Sequence, residues 1–314
     1  MDQLPQEHQA FLSKIDQHRI PQSYEEACLD DVWVQAILEQ IESMVKNGTW
    51  DEIDKPDKKK LVGCRWVYTI KYTSTGEIER YKARLVAKGY TQKYEVDYTE
   101  TFAPVAKLHS VRVLLSIATN LCWDLWQMDV KNAFLQGELK EEVYMVLPEG
   151  VIIGKNRVCK LKKAIYGLKQ SPRAWYHKLS GCLLENGFRK FEADHTLFTA
   201  QGEKGIVAVL VYVDDIIITG DDIEGIKRVK SLLKTSFDIK DLGELKYFLR
   251  IEVCKFENGL SLSQRKYTLD LLKETWKLGV KPAKTPIEDG YKICPKGELP
   301  MEVKRYQRLV GRLI

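Results

Sequence analysis

Apolar side chains recur every three to four residues in four stretches of the chain, and this spacing predicts amphipathic helices. The first is capped by Asp30 or Asp31 and ends at Asn47–Gly48. The third has Ser171 as its predicted N-cap and Pro172 at its first position. The residues predicted to face the core are Val34, Ile37, Leu38, Ile41, Met44 and Val45 in the first helix; Leu108, Val111, Leu115 and Ala118 in the second; Trp175, Leu179 and Leu183 in the third; and Ile223, Ile226, Val229 and Leu233 in the fourth, at 222–237.

Strand signals alternate with these helices. Residues 61–72 and 77–88 predict a hairpin around a Ser-Thr-Gly turn. In its second strand Tyr81, Ala83 and Leu85 face one side, while Lys82, Arg84 and Lys88 form a basic face on the other. Further strands are predicted at 125–130, 206–213, 216–219 and 244–256, and a helical tail follows. This mixture of helices and antiparallel hairpins indicates an α+β fold.

The composition is that of a globular protein, with 314 residues of which 44% are hydrophobic and 30% charged. No apolar run approaches the ~18–20 residues of a membrane span, and the first residues lack the apolar core of a signal peptide. We therefore expect neither secretion nor membrane insertion. The seven cysteines are scattered without a C-x-x-C pair, which argues against a disulfide framework or a structural zinc site and suits a reducing compartment.

The net charge of +5 is unevenly distributed along the chain. Residues 58–93 hold ten Lys or Arg against two acidic residues, and residues 155–178 hold eight against none. Tyrosines and tryptophans lie among these charges, as in surfaces that neutralise phosphates and stack on bases. A solvated basic face explains the charge equally well, so charge alone does not decide for nucleic-acid binding.

The pair Asp214–Asp215 interrupts two apolar, β-branched runs. Two adjacent carboxylates repel each other and resist burial, so they need a strong partner. A turn explains one Asp but explains two less well, because hairpin turns favour Asn-Gly or Asp-Gly. Mg²⁺ explains both, since it binds carboxylate oxygens and keeps water and phosphate as further ligands.

Asp129 lies at the C-terminal end of the predicted strand 125–130. If that strand is adjacent to the Asp214–Asp215 hairpin, the carboxylates would hold two metal ions a few ångströms apart. That geometry stabilises the attacking and leaving oxygens of an in-line phosphoryl displacement. The alternative is that Asp129 caps the segment beginning at Lys131.

Eight ordered blocks between residues 24 and 314 resemble the reverse transcriptase of Ty1/copia-type LTR retrotransposons, most closely the plant elements. The blocks are Trp33 with the later Asn47-Gly-Thr-Trp50, YKARLVAKGYTQ (81–92), ETFAPVAK (100–107), QMDVKNAFLQGEL (127–139), KKAIYGLKQSPRAWYHKL (162–179), LVYVDDIIITG (210–220), FLRIEV (248–253) and YQRLVGRLI (306–314). The family continues into further domains beyond the last block, so we expect either a fragment of a polyprotein or a gene model over a decaying insertion.

The resemblance implies an RNA-directed DNA polymerase with a right-hand fold of fingers, palm and thumb and a mainly antiparallel palm sheet. It implies an N-terminal helical segment at 1–50, fingers at 51–115, a palm at 116–254 with an inserted fingers portion near 140–165, and a thumb with the start of a connection at 255–314. Its partners would be an RNA template, a DNA primer and dNTPs, inside the cell in a cytoplasmic particle or the nucleus.

Matched by motif, the resemblance makes Asp129, Asp214 and Asp215 the catalytic carboxylates. Asp129 and Asp214 would be the principal ligands of two Mg²⁺ ions, which Mn²⁺ could replace, and Asp215 a secondary one. The ions would lower the pKa of the primer 3′-hydroxyl and stabilise the α-phosphate as pyrophosphate leaves. No covalent nucleophile is needed.

The same matching assigns residues to the substrates. Those implied to bind the incoming nucleotide are Lys82, Arg84, Phe134 and Gln170, and those implied to contact template or primer are Lys169, Ser171, Tyr212 and Arg250. The Phe134 ring would exclude a 2′-hydroxyl; its alternative role is core packing. For Lys82 and Arg84 the alternative is ordinary exposed strand charge.

Arg250 departs from the family, which usually has Gly in this block. We expect a tight strand turn there, in which Arg weakens the grip on the primer. Two other functions compete with polymerisation. The chain could be a catalytically idle nucleic-acid-binding relic, or another metal-dependent phosphoryl-transfer enzyme such as a nuclease. A nuclease has no use for the sugar-side ring or the triphosphate-gripping strand, so it is disfavoured.

Overall fold

The computed structural model describes residues 20–57, 59–72, 77–151, 156–202, 204–257, 259–275, 277–285 and 303–314. The predicted Ser-Thr-Gly turn lies outside them. The chain forms two compact units, the first extending to Ser263 and the second beginning at Gln264. The division into fingers, palm and thumb stays a prediction. Within the described ranges, no helix has the length and apolar character needed to cross a bilayer.

The described residues form seven α-helices and fourteen strands. The helices are α1 (Tyr24–Ala27), α2 (Asp31–Lys46), α3 (Leu108–Asn120), α4 (Ser171–Glu185), α5 (Ile223–Ser236), α6 (Arg265–Glu274) and α7 (Val303–Leu313). The strands are β1 (Trp50–Asp54), β2 (Cys64–Tyr72), β3 (Ile78–Ala87), β4 (Asp124–Val130), β5 (Glu138–Met145), β6 (Arg157–Lys163), β7 (Arg189–Lys190), β8 (Leu197–Gly202), β9 (Gly205–Tyr212), β10 (Asp215–Gly220), β11 (Ile239–Glu244), β12 (Tyr247–Phe248), β13 (Ile251–Phe256) and β14 (Gly259–Ser263).

The largest sheet has six strands in the order β11-β4-β10-β9-β8-β7, and each neighbouring pair is antiparallel. Its centre consists of β4, β10 and β9, whose apolar and β-branched side chains suit strands covered on both faces. Helices α4 and α5 cover one face. Helix α3 and the β12–β14 sheet cover the other. The α+β prediction with an antiparallel central sheet is confirmed.

A separate core lies beneath the β2–β3 hairpin. Helix α2 packs there through Trp33, whose ring meets Tyr68 and Tyr81 edge-on at centroid distances of 5.4 and 4.9 Å. This contact fixes which face of α2 is buried. Trp33, Ala36, Ile37, Gln40 and Met44 are buried, whereas Leu38 and Val45 are exposed.

The predicted core stripe of α2 was therefore partly wrong, because six apolar positions were available and tertiary packing chose an overlapping but rotated set. Leu108 and Ile223 were also predicted to be buried and are exposed. Each is the first residue of its helix, and the buried residues of both helices lie further along the chain.

One predicted cap needs correction, and the alternative role considered for Asp129 is not found. Helix α4 begins at Ser171 itself, after Gln170, and the Ser171 hydroxyl donates to the carbonyl of Ile165 at 2.6 Å. Ser171 therefore anchors the preceding loop instead of capping the helix. Asp129 caps nothing, because the short 3₁₀ helix Ala133–Gln136 has Asn132 at its N-cap.

Candidate active site

Strand register brings the three predicted carboxylates to one end of the six-stranded sheet. β10 runs antiparallel to β4 with Asp215 directly opposite Asp129, so their side chains lie on the same face. Asp214 is in the turn that precedes β10, and its carbonyl accepts a hydrogen bond from the Val130 amide at 2.8 Å. The arrangement predicted from sequence, with an adjacent strand presenting Asp129 to the Asp pair, is confirmed.

The turn that carries Asp214 is strained and firmly held. Tyr212 pairs with Asp215, so Val213 and Asp214 alone connect the two strands. Val213 has a φ of +54°, which a β-branched residue rarely adopts. The buried Trp175 donates its indole N–H to the Val213 carbonyl at 2.7 Å and so stabilises this conformation from beneath. The strain fits a turn selected for where it places Asp214.

Burial and mutual repulsion both act against ionisation at this site. Burial raises the pKa of Asp215 to about 6, although a hydrogen bond donated by Gln127 opposes the shift. Burial and then the charge of Asp214 raise the pKa of Asp129, with Lys82 opposing. A bound cation would compensate the negative charge of these carboxylates and so favour their ionised form.

The donor chemistry fits a divalent ion, since carboxylate oxygens are the ligands that Mg²⁺ prefers. Across the ranges that the structure describes, no three His, Cys, Asp or Glu side chains are already grouped to enclose a metal ion. Asp215 instead accepts from Gln127 Nε2 at 3.0 Å. Asp129 and Asp214 would therefore be the principal protein ligands, with phosphate and water supplying other positions.

The β2–β3 hairpin places a basic face toward these carboxylates. Lys82 and Arg84 stand opposite Thr69 and Val67, and the alternate residues Ala83 and Leu85 are buried on the other face, in agreement with the predicted alternation. Burial, followed by the charges of neighbouring basic residues, lowers the pKa of Lys82 to about 8, while Asp129 opposes the shift. Lys82 thus lies within the electrostatic reach of the acidic site.

Arg84 and Phe134 both contact Tyr166, a residue that the sequence analysis did not assign to the site. Tyr166 lies with its ring 5.6 Å from the Arg84 guanidinium carbon and meets the Phe134 ring edge-on at 4.9 Å. Burial is the main cause that raises the pKa of Tyr166, and the charges of Asp214 and Asp129 add to it. The signal available was its place directly before Gly167 in the KKAIYGLKQSP block.

Phe134 is only partly buried and packs against the core beneath the sheet. One part of its ring therefore packs internally while the rest remains accessible beside Tyr166, and exclusion of a 2′-hydroxyl stays a prediction. Arg84 Nε is buried without a hydrogen-bond acceptor among the described residues, an arrangement that an anion would complete.

Gln170 is buried and held by hydrogen bonds in the loop before α4. This residue is 2% exposed; its amide accepts from Gln92 Nε2 at 3.1 Å and donates to the Asp97 carbonyl at 3.3 Å. It is an internal anchor of the loop before α4, and its contact with a nucleotide stays a prediction. Ser171, 1% exposed, is likewise internal, and its contact with template or primer stays a prediction. Lys169 is exposed, with its ammonium 3.1 Å from the Tyr98 hydroxyl, so its template contact stays a prediction.

Tyr212 ends β9 and contacts the β12–β13 hairpin, whose turn contains Arg250. The Tyr212 ring meets Phe248 edge-on at 6.1 Å. Leu249 and Arg250 form the two-residue turn, with φ values of +51° and +66°. The expected tight turn is confirmed, and its contact with a primer stays a prediction. Arg250 also lines a cavity of about 520 Å³ together with Asp215.

Comparison with known proteins finds a family that this chain matches. The family model described as reverse transcriptase (RNA-dependent DNA polymerase) matches residues 47–289. The chain is 44% identical over 314 residues to the retrovirus-related Pol polyprotein from transposon RE2 of Arabidopsis thaliana, covering 98% of this chain and 22% of that protein. It is 46% identical over 298 residues to the corresponding RE1 polyprotein, covering 93% and 20%.

A relative from another plant matches a similar region. The Pol polyprotein from transposon TNT 1-94 of Nicotiana tabacum is 39% identical over 268 residues, which cover 84% of this chain and 20% of that protein. The chain spans about a fifth of the length of the curated relatives it matches.

Proposed function

We propose, from the premise that this chain belongs to the reverse transcriptase (RNA-dependent DNA polymerase) family as part of a copia-type Pol polyprotein, that it extends a DNA primer along an RNA template. The observation that carries the proposal is the register of the central strands. It sets Asp129 opposite Asp215, with Asp214 in the strained turn between β9 and β10.

Asp129 and Asp214 would hold two Mg²⁺ ions, with Asp215 as a secondary ligand. When bound, the ions lower the pKa of the primer 3′-hydroxyl and stabilise the charge on the phosphate as pyrophosphate leaves. The chain's own residues contribute by holding the catalytic carboxylates in place. The Trp175 contact to Val213 keeps Asp214 near the end of β4 before any substrate arrives, so little reorganisation is needed during reaction.

The β2–β3 hairpin would bind the triphosphate of the incoming nucleotide. Arg84 offers a buried Nε that has no acceptor in the described part of the chain, and a phosphate oxygen would satisfy it. A phosphate beside Lys82 would also favour its charged form, which burial now disfavours. An anion would thus satisfy the Arg84 Nε and favour the charged form of Lys82.

The rings of Phe134 and Tyr166 would line the sugar of the same nucleotide. Their edge-to-face contact fixes Phe134 at the margin of the core, so its accessible side cannot retreat to admit a 2′-hydroxyl. On the other side of the aspartates, Tyr212 and Arg250 would contact the primer, and the exposed Lys169 would contact the template.

Primer extension with an RNA template, Mg²⁺ and dNTPs tests the proposal. Wild-type chain should extend the primer, whereas Asp129→Asn or Asp214→Asn should abolish extension while template–primer binding remains. Thermal melting without Mg²⁺ should show equal or higher stability for both variants, because each relieves like-charge repulsion. Asp238→Asn is the matched control, since the side chain of this exposed aspartate pairs with Lys131 at the surface and its substitution should retain extension.

Two results would contradict the proposal. Wild-type chain that binds template–primer but never extends it would indicate an idle nucleic-acid-binding relic instead. Near-wild-type extension by Asp214→Asn would show that this carboxylate holds no essential metal ion.

A further inference from the structure

A buried amide sits beside the acidic site without a packing reason to be there. Gln127 lies on β4 two residues before Asp129, so strand alternation places both on the same face. It is 6% exposed, and its Nε2 donates to Asp215 Oδ1 at 3.0 Å. The next positions along this face, Leu125 on β4 and Ile217 on β10, are apolar. An apolar side chain of similar volume would fill the same space without the cost of burying an amide.

The neighbouring strands leave Gln127 free to reach Asp215. On β10 it stands opposite Ile217, two residues beyond Asp215. On β11 it stands opposite Gly243, immediately after a shift in the ladder register. Gly243 has a φ of +80°, a backbone conformation that favours glycine at this irregularity of the ladder. Gln127 and Asp215 both line the cavity of about 520 Å³ on this face.

We propose that Gln127 is a positioning residue of the nucleotidyl-transfer site, which holds Oδ1 of Asp215 so that Oδ2 is the oxygen presented to a divalent cation. The inference rests on the proposed function and deepens it. A carboxylate on its own can rotate between two equivalent orientations and can take either one or both oxygens to a metal. A donor fixed in the sheet removes that freedom and orients the ligand before the ion arrives.

The amide matters here because it donates without adding charge. A Lys or Arg at 127 would neutralise Asp215 and compete with the cation, and a Glu would add a fourth carboxylate to a site already limited by repulsion. A neutral donor avoids both effects. Gln is also long enough to reach Asp215 from the opposite strand, which Asn, one methylene shorter, is not expected to manage.

Mn²⁺ binding by the full chain, followed by electron paramagnetic resonance without nucleic acid, tests the proposal independently of activity. Gln127→Met keeps the side-chain volume and removes the donor, and it should weaken Mn²⁺ binding about 10-fold or more. In the Asp215→Asn background the same change should cause no further loss, because the group through which Gln127 acts has lost its charge. Gln127→Asn provides a second variant that retains the amide and should weaken binding in the same way.

Thr219→Val is the matched control. Thr219 is buried on β10, on the same face as Asp215, and its hydroxyl donates to the Asp124 carbonyl at 2.7 Å. Removing that hydrogen bond should lower the melting temperature while leaving the affinity for Mn²⁺ unchanged. A role of Gln127 in stability alone would make Gln127→Met behave like this control.

Unchanged Mn²⁺ affinity in both Gln127 variants would overturn the inference. So would equal, additive losses from Gln127→Met with and without Asp215, or a wild-type chain whose carboxylates bind no Mn²⁺. Failure of the wild type to extend a primer is a different outcome. It would defeat the proposed function, whereas the Mn²⁺ titration would still decide whether Gln127 orients Asp215.

Discussion

Asp215 is the residue in which burial and charge conflict most directly, and its pKa makes the conflict measurable. Its pKa is raised to about 6, so the folded state favours the protonated carboxyl. The stabilisation from that proton is complete below the unfolded pKa of about 4 and is lost as pH rises through about 6. Asp215→Asn does not ionise, so without divalent ions it should melt at a higher temperature than wild type at about pH 8 and nearly equal to it at about pH 4.

Melting curves of both chains across this pH range, in the presence of a chelator, provide the measurement. Asp238→Asn is the control, because this aspartate is exposed and its substitution should give no difference that follows the pKa of a buried group. A gain for Asp215→Asn that is equal at both ends of the range would show that its carboxyl titrates normally in the fold.

Phe134 should control the choice of sugar more than it controls stability. Because the ring is only partly buried, Phe134→Ala should cost less than the ~3–5 kcal/mol of a fully buried Phe→Ala. It should raise ribonucleotide over deoxynucleotide incorporation, measured as a ratio of kcat/KM, by about 10-fold or more. Phe188→Ala, a buried change in the same core, should reduce the melting temperature without altering that ratio. A large loss of stability in Phe134→Ala without a change in that ratio would assign Phe134 to core packing alone.

The residues of the site differ in how far sequence could identify them. Asp129, Asp214 and Asp215 are identifiable because charged residues inside apolar runs are conspicuous in any alternation pattern. The burial of Gln170 was not predicted, because nothing local shows that Gln92 and Asp97 approach from a distant segment and satisfy its amide. Tyr166 and Gln127 were overlooked for the same reason, since their roles depend on partners brought together by the fold.

The β12–β13 hairpin is the element in which a departure from the family has a structural consequence. Its turn has two residues with positive φ, and the second of them is Arg250. A non-glycine residue in this region costs ~1–2 kcal/mol, and glycine is the usual residue in such hairpin turns. Arg250→Gly should therefore stabilise the chain by about 1 kcal/mol and lengthen primer-extension products at limiting enzyme.

Arg250→Ala separates conformation from charge in this experiment. It removes the guanidinium but keeps a side chain in the left-handed region, so it should bring little gain in stability. Products that lengthen with Ala as much as with Gly would assign the effect to the side chain's bulk or charge. Unchanged product length with Gly, at low and high salt, would contradict the expected weakening of the primer grip by Arg250.

Local patterns predicted most elements of the molecule but not their arrangement. The strands at 125–130, 206–213 and 216–219 and the four helices are found, with the cap and stripe corrections described above. The order β11-β4-β10-β9-β8-β7 was not predicted, because pairing between strands some 80 residues apart depends on long-range packing. That order is what sets Asp129 opposite Asp215, so the site is more a product of the sheet than of any single motif.

The two compact units should differ in what they contribute. The residues of all three buried clusters lie between Ala27 and Val253, inside the first unit. In the second unit, α6 has no buried residue among those described. A chain ending at Ser263 should therefore unfold cooperatively, with a melting temperature close to that of the full chain. If residues 255–314 are the thumb, as the resemblance implies, the shortened chain should still add nucleotides but release the primer sooner.

Calorimetry of both chains tests the folding half of this prediction, and product length under single-encounter conditions tests the other. The Asp129→Asn variant of the shortened chain controls for contaminating polymerases, because it should add no nucleotide. A broad, non-cooperative transition after truncation would show that the first unit depends on the second for stability. Equal product lengths from the two chains would show that residues 264–314 do not help to retain the primer. Primer retention would then depend on the sheet face and on the hairpin that carries Arg250.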